Sequence, residues 1–325
     1  MDLFKSYQKE FKTSLEKFIS NKSPQKLYRP IIYLLDLGGK RVRPYLCLMA
    51  GEVYGIPPVK SMGAAISIEI FHNFTLMHDD IMDKAPLRRG NTTVHEKWDV
   101  NSAILSGDAM LIKAYQAIEG YSPKLFFKLT RLLSKTAIEV CEGQQYDLDF
   151  ETAPVVSEEE YIKMIKLKTA VLVGCALKMG AIIGGASAKD IDAIYDFGIH
   201  LGLAFQLQDD YLDAFGDQTT FGKKIGGDIL ENKKTILYHL ALKKADLKQS
   251  NLIKSLLSGE SSLSDKDKIT KIKGLFDDTG AKEATRQAIF YHCNLAIKKL
   301  ENLAIDKKQK AIFYGLKDWL MYRTY

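Results

Sequence analysis

Three carboxylates crowd the end of one apolar stretch, where SIEIFHNFTLMH is followed by Asp79-Asp80-Ile81-Met82-Asp83. At about 100° per residue on a helix, Asp79 and Asp83 fall one turn apart on a single face, with Asp80 at its border. Such crowding is repulsive unless cations neutralise it. Oxygen donors at a helix end suit Mg²⁺ held by one or two carboxylates, waters and substrate phosphates. A single acidic helix end is as readily a solvated surface. The pattern recurs, however, as Asp209-Asp210-Tyr211-Leu212-Asp213, again closing an apolar helical stretch. Two facing clusters on separate helices could hold several Mg²⁺ and clamp one strongly anionic group such as a diphosphate.

Basic residues follow each acidic cluster. Arg88-Arg89-Gly90 comes after Asp83, and Lys223, Lys224 and Lys233 come after Asp213; a third group is Gly38-Gly39-Lys40-Arg41-Val42-Arg43-Pro44. Guanidinium groups hydrogen-bond phosphate oxygens in pairs, and lysines meet them as point charges. Each run alone reads as a solubilising surface. Their alternation with the carboxylate clusters points to a site for two separate polyanions.

These residues must be positioned by helices. Apolar residues recur at three- and four-residue spacing over 3–19, 27–37, 44–54, 64–82, 102–119 and 123–142, and again over 158–183, 188–215, 235–247, 266–275, 280–303 and 309–322. Alternating runs are nearly absent. Ser157 with Glu160 has capping-box spacing, and Ser122 precedes Pro123 at an expected first helical position. The polar, serine- and lysine-rich stretch 246–268 reads as a surface connection. The expectation is an all-α helical bundle forming a single domain over 1–325, since no composition shift marks a boundary.

Composition narrows the function classes. With 325 residues, 46% hydrophobic and 26% charged, the chain can build a large core, and 8 Pro with 23 Gly are too few for a turn-rich β fold. A net charge of +6 suits small anionic ligands and is no nucleic-acid stripe. Cys47, Cys141, Cys175 and Cys293 have no metal or disulfide spacing, which indicates a reducing, cytoplasmic setting. The apolar run 170–188 carries Lys178 and Gly174, Gly180, Gly184 and Gly185, so a buried core helix is expected in place of a membrane span. The N-terminal stretch has no export signal.

In order along the chain, GGKRVRP (38–44), Asp79–Asp83 with Arg88-Arg89-Gly90, Gly107-Asp108, Gly143-Gln144 with Asp147, Lys168-Thr169, FQLQDDYLD (205–213), Gly222-Lys223 and Lys233–Thr235 resemble the trans-isoprenyl diphosphate synthases. This is the polyprenyl synthetase family, which includes farnesyl and geranylgeranyl diphosphate synthases. The resemblance implies the isoprenoid synthase helical fold with a large central cavity, and a homodimer. It also implies that Lys40, Arg43, His72 and Arg89 bind isopentenyl diphosphate. Asp79, Asp83 and Asp209 would ligate Mg²⁺, three ions per site, supported by Asp80, Asp210 and Asp213. Arg88, Lys168, Thr169, Gln206, Lys223 and Lys233 would bind the allylic diphosphate, with Lys168 and Lys223 also counted as catalytic. His72 sits only about 20° around the helix from the Asp79 face, in phase with that role. One departure is Gly226-Gly227-Asp228, where family members often have Gly-Lys-Asp; Lys224 stands nearby as a replacement.

The residue types suit ionisation of an allylic diphosphate, attack by the isopentenyl double bond and loss of a proton, a sequence that needs no protein nucleophile. In this family the residues four and five positions before the first aspartate floor the tail pocket; here they are Thr75 and Phe74. Helical geometry adds Phe71, about 80° from Asp79 and one turn deeper. Two rings beneath a small Thr75 predict a short product, C20 first and C15 next. A terpene cyclase and a noncatalytic regulatory homologue are the rivals. The second DDxxD cluster and the Lys40/Arg43 group count against the first, and the intact aspartates and arginines against the second.

Overall fold

Helices make up most of the described chain, as the three- and four-residue spacing requires. The computed structural model describes residues 4–20, 22–153, 155–216, 225–259 and 263–321. The chain divides into two compact units, residues 1–136 with 175–195 and residues 137–174 with 196–325. It passes from one to the other inside three helices, so neither composition nor a turn signal marks the crossings.

The first unit begins with α1 (Lys5–Phe18), α2 (Gln25–Asp36), α3 (Val42–Val53) and α4 (Pro58–Met82). It continues through the two-residue strands β1 (Leu87–Arg88) and β2 (Asn91–Thr92), then α5 (Val94–Lys97), α6 (Val100–Gln116) and the start of α7 (Pro123–Thr152). α4 is its axis, packed against α3 and α6 and touching α1, α2 and α5. Ile68, Ile70 and Phe71 of α4 are fully buried, and each such side chain contributes about 1.5–3 kcal/mol. α9 (Val171–Ile183) crosses into this unit as a core helix, with Cys175, Ala176, Leu177 and Met179 fully buried. A Cβ on Gly180 would lie 2.2 Å from the Cys47 carbonyl oxygen, so only glycine lets α9 approach α3 so closely. Lys178 turns outward to Asp192 at 2.9 Å. Among the described residues no helix is long and apolar enough to cross a membrane.

The second unit holds the end of α7, α8 (Glu158–Ile165), a π-helical segment at Lys166–Ala170 and the end of α10 (Ala188–Phe215). There follow α11 (Gly227–Leu230), α12 (Ile236–Lys244), α13 (Leu247–Leu256), α14 (Asp265–Asp278), α15 (Ala281–Glu301) and α16 (Lys307–Met321). α12 packs on α15 and α8, and α14 on α11, α13 and α15. The capping box of Ser157 and Glu160 is formed, and α7 starts at Pro123.

Three expectations need correction. α7 runs to Thr152, ten residues past the end of the 123–142 spacing, because Gln144, Gln145, Leu148 and Glu151 are helix formers. The stretch 158–183 is not one regular α-helix but is widened at the π segment. The 246–268 connection contains α13, started by an Asp246/Gln249 capping box and anchored by buried Ile253 and Leu256. Two apolar anchors among serines and lysines are too few to show as periodicity.

Candidate active site

In the first unit, α4 delivers its carboxylates at its C-terminus, where Asp83 is the C-cap and its N–H bonds the Asp79 carbonyl at 2.8 Å. A tight hairpin then folds the chain back: Leu87 pairs with Thr92 and Arg88 with Asn91. Its two-residue loop, Arg89-Gly90, takes positive φ at both positions (54° and 74°), the geometry that matches strand twist. The turn sends Arg88 back to Asp80, Nε to both carboxylate oxygens at 2.7 and 2.9 Å and Nη2 to Oδ1 at 2.6 Å. Arg89 is thrown the other way and donates to the Gly38 carbonyl. Its guanidinium lies where a Cβ on Gly39 would be, within 2.9 Å, and Gly39 also has φ 127°. Gly39 of GGKRVRP is therefore what admits Arg89, while Gly38 offers its carbonyl.

Around that contact lies a cationic cluster. Arg43 Nη1 donates to His72 Nε2 at 3.2 Å; since a guanidinium only donates, that nitrogen accepts and the imidazole is neutral. Burial, then Arg43, Arg89 and Arg88, hold the His72 pKa well below its ordinary value. Lys40 is exposed on the same loop. Two further members are Arg41, which the sequence offers only as part of the basic run 38–44, and Glu69, which it does not single out. Arg41, with φ 47°, donates to the Leu35 carbonyl at 3.0 Å and stands 3.9 Å from Glu69. Glu69 is 3% exposed and takes an amide N–H from Asn73 at 3.1 Å. Burial pushes its carboxyl up, while Arg41, Asn73, Arg43 and Arg89 pull it back. A lone glutamate inside an apolar helix was the available signal.

In the second unit, Thr169 donates to Gln206 Oε1 at 3.1 Å, and Gln206 Nε2 donates to Asp210 Oδ1 at 3.1 Å. Tyr161, from α8, donates to the other oxygen of Asp210. Burial, then Asp228, raises the Asp210 carboxyl to about 7, against the pull of Tyr161 and Gln206. Lys168 bonds Asp147 at 2.6 Å. The π segment carries Lys168 and Thr169, and π-turns recur at functional sites. Gly143 of α7 makes room for it, since a Cβ there would lie 2.3 Å from the Lys168 backbone nitrogen. Gln144, beside it, is 7% exposed with both amide atoms lacking hydrogen-bond partners, as in a group that a ligand completes.

Asp213 accepts from the Asp228 N–H at 3.0 Å, and its carbonyl accepts from Gly226 at 2.7 Å, tying α11 to the end of α10. Gly227 lies with its Cβ direction 3.1 Å from Asp213 Oδ1. Lys233 pairs with Glu231 at 2.6 Å. Burial opposes its charge, but Glu231 and Asp228 outweigh burial and raise its pKa. Lys223 and Lys224 lie outside the described residues.

Exposure separates the carboxylates. Asp79 and Asp209 are half-buried and Asp83 exposed, whereas Asp80, Asp210 and Asp213 are buried on the protein donors named above. Accessible all-oxygen donors fit Mg²⁺. Among the described residues no three His, Cys, Asp or Glu side chains converge as a metal cage, so waters and phosphate oxygens would complete the coordination.

Phe71, fully buried, and Phe74, 8% exposed, meet with ring centroids 5.6 Å apart. Phe74 stacks edge-on with His78 at 4.8 Å, and His78 lies 3.3 Å from the Ile104 carbonyl of α6, where Gly107 leaves room for it. Thr75 turns its hydroxyl onto the His72 carbonyl at 2.8 Å.

A family profile described as Polyprenyl synthetase matches residues 24–274. The chain belongs to the polyprenyl synthetase family. It is 37% identical over 314 residues to the Short chain isoprenyl diphosphate synthase of Methanothermobacter thermautotrophicus, covering 96% of this chain and 95% of that protein. A solved geranylgeranyl pyrophosphate synthase is 49% identical, with a TM-score of 0.94 over 99% of each chain. The geranylgeranyl pyrophosphate synthetase from Pyrococcus horikoshii is 33% identical, with a TM-score of 0.92 over 99% of this chain and 98% of that one. This polyprenyl synthetase family member is a prenyltransferase with the all-α fold of the isoprenyl synthases.

Proposed function

We propose that the protein is a short-chain trans-prenyltransferase. It condenses isopentenyl diphosphate with dimethylallyl, geranyl and farnesyl diphosphates and releases geranylgeranyl diphosphate (C20) first, farnesyl diphosphate (C15) next. The observation that carries this is the meeting, within the first unit, of a carboxylate-ended helix with the cluster of Arg43, His72 and Arg89. A terpene cyclase needs no such second anion pocket.

Lys40, Arg43, His72 and Arg89 hold the diphosphate of isopentenyl diphosphate. Neutral His72 offers hydrogen bonding without adding repulsion to the arginines. Arg88, Lys168, Thr169, Gln206, Lys223 and Lys233 meet the allylic diphosphate, and their charges stabilise it as it leaves. Asp79, Asp83 and Asp209 would hold Mg²⁺, three ions per site, which would supply further positive charge against the leaving diphosphate. Apolar helix faces keep water from the allylic cation. The released diphosphate takes the proton, as the family's chemistry implies. We place the protein in the cytoplasm, as a homodimer that works as one catalytic domain.

Chromatography of dephosphorylated products made from each allylic starter with isopentenyl diphosphate tests this reading. Diphosphate release and chain elongation only with both substrates, ending mainly at C20, is the expected result. Release from an allylic diphosphate alone would favour a cyclase, and no release at all a noncatalytic homologue.

A further inference from the structure

The middle aspartates of the two clusters are held in different ways. Asp80 has a cation, Arg88, on both oxygens. Asp210, among the described residues, takes neutral donors, Gln206 on Oδ1 and Tyr161 on Oδ2. Tyr161 is 4% exposed, and its ring packs on His239 of α12 with centroids 5.3 Å apart, so its hydroxyl is aimed by packing. It also sits on α8, which leads directly into the π segment carrying Lys168 and Thr169. One hydroxyl thus joins the base of that segment to the turn of α10 that presents Asp209.

We infer that Tyr161 is a positioning residue of the prenyl-transfer site, fixing Asp210 and through it both the Asp209 carboxylate and the Gln206–Thr169 pair that faces the allylic diphosphate. The inference rests on the proposed function. Groups that orient metal ligands typically change metal affinity or activity by about 10–100-fold when removed. The Tyr161 hydroxyl acts through Asp210 and not by contact with substrate or metal.

The test is Tyr161→Phe, which keeps the ring on His239 and removes one oxygen. The Mg²⁺ concentration for half-maximal activity and the allylic KM are expected to rise about 10-fold, with the isopentenyl KM and the melting curve near wild type. Asp210→Asn should act on the same quantities, and the double variant should be no worse than the poorer single one, since the two groups act as a unit. Binding of inorganic diphosphate with Mg²⁺, followed by calorimetry, should weaken to the same extent, and it reads the site without turnover. Unchanged Mg²⁺ dependence and diphosphate binding in Tyr161→Phe, or a loss of kcat that only parallels a lower melting temperature, would overturn the inference. A wild-type protein that binds diphosphate with Mg²⁺ but condenses nothing would instead sink the proposed function, while the calorimetric comparison still decides the role of Tyr161.

Discussion

At the scale of single residues, accessibility divides the six clustered aspartates into half-buried or exposed Asp79, Asp83 and Asp209 and buried Asp80, Asp210 and Asp213. Asp79→Ala or Asp209→Ala should lower kcat by roughly two to three orders of magnitude with the helical circular dichroism unchanged, because each removes charge control and little packing. Activity close to wild type at saturating Mg²⁺ would refute their role. Arg43→Ala should chiefly raise the KM for isopentenyl diphosphate, as should Lys40→Ala; steady-state kinetics with each substrate varied in turn would read this. An allylic KM that rises while the isopentenyl KM stays put would contradict it. The aspartates, His72 and Arg89 were legible because their types and spacing are unusual for helix ends and apolar faces. Glu69 and Tyr161 were not. Tyr161 meets an aspartate 49 positions away, and no local pattern carries that distance.

Helix positions were readable from apolar spacing, since core burial imposes that spacing directly. The π segment was invisible, because one extra residue in a turn changes neither composition nor the apolar face on either side. Its fit against α7 rests on a missing side chain. Gly143→Ala should force the Lys168 backbone away, costing about 1–3 kcal/mol and raising the allylic KM; thermal denaturation and kinetics together would check both, and a melting temperature and KM at wild-type values would show the contact to be dispensable. On α4, Phe71 and Phe74 pack against one another with their rings tilted, and either ring is expected to stop the growing tail. Phe74→Ala should lengthen the main product by at least one five-carbon unit, as should Phe71→Ala if it lines the same pocket. Unchanged product lengths in both variants, or a wild type yielding mainly C30 and longer, would dismiss this floor.

For the whole molecule, α6 and the start of α7 expose Leu105 and Ile112 at 60% each and Phe127 at 65%, apolar side chains of the kind that a second copy of the proposed homodimer would cover. Light scattering at micromolar concentration should give twice the 36.6 kDa chain mass, and a monomer mass would refute the dimer. The division into two units also bears on how the protein is made. The first unit lacks residues 175–195 until the ribosome has added the 59 residues from 137 to 195, which takes about 3–12 s at 5–20 residues per second. For that interval the face of α3 that receives Gly180, at Cys47 and Ala50, is uncovered on the nascent chain. A fragment ending near residue 136 is therefore expected to aggregate and to form no half-enzyme, because the face of α3 that α9 covers would stay open to water.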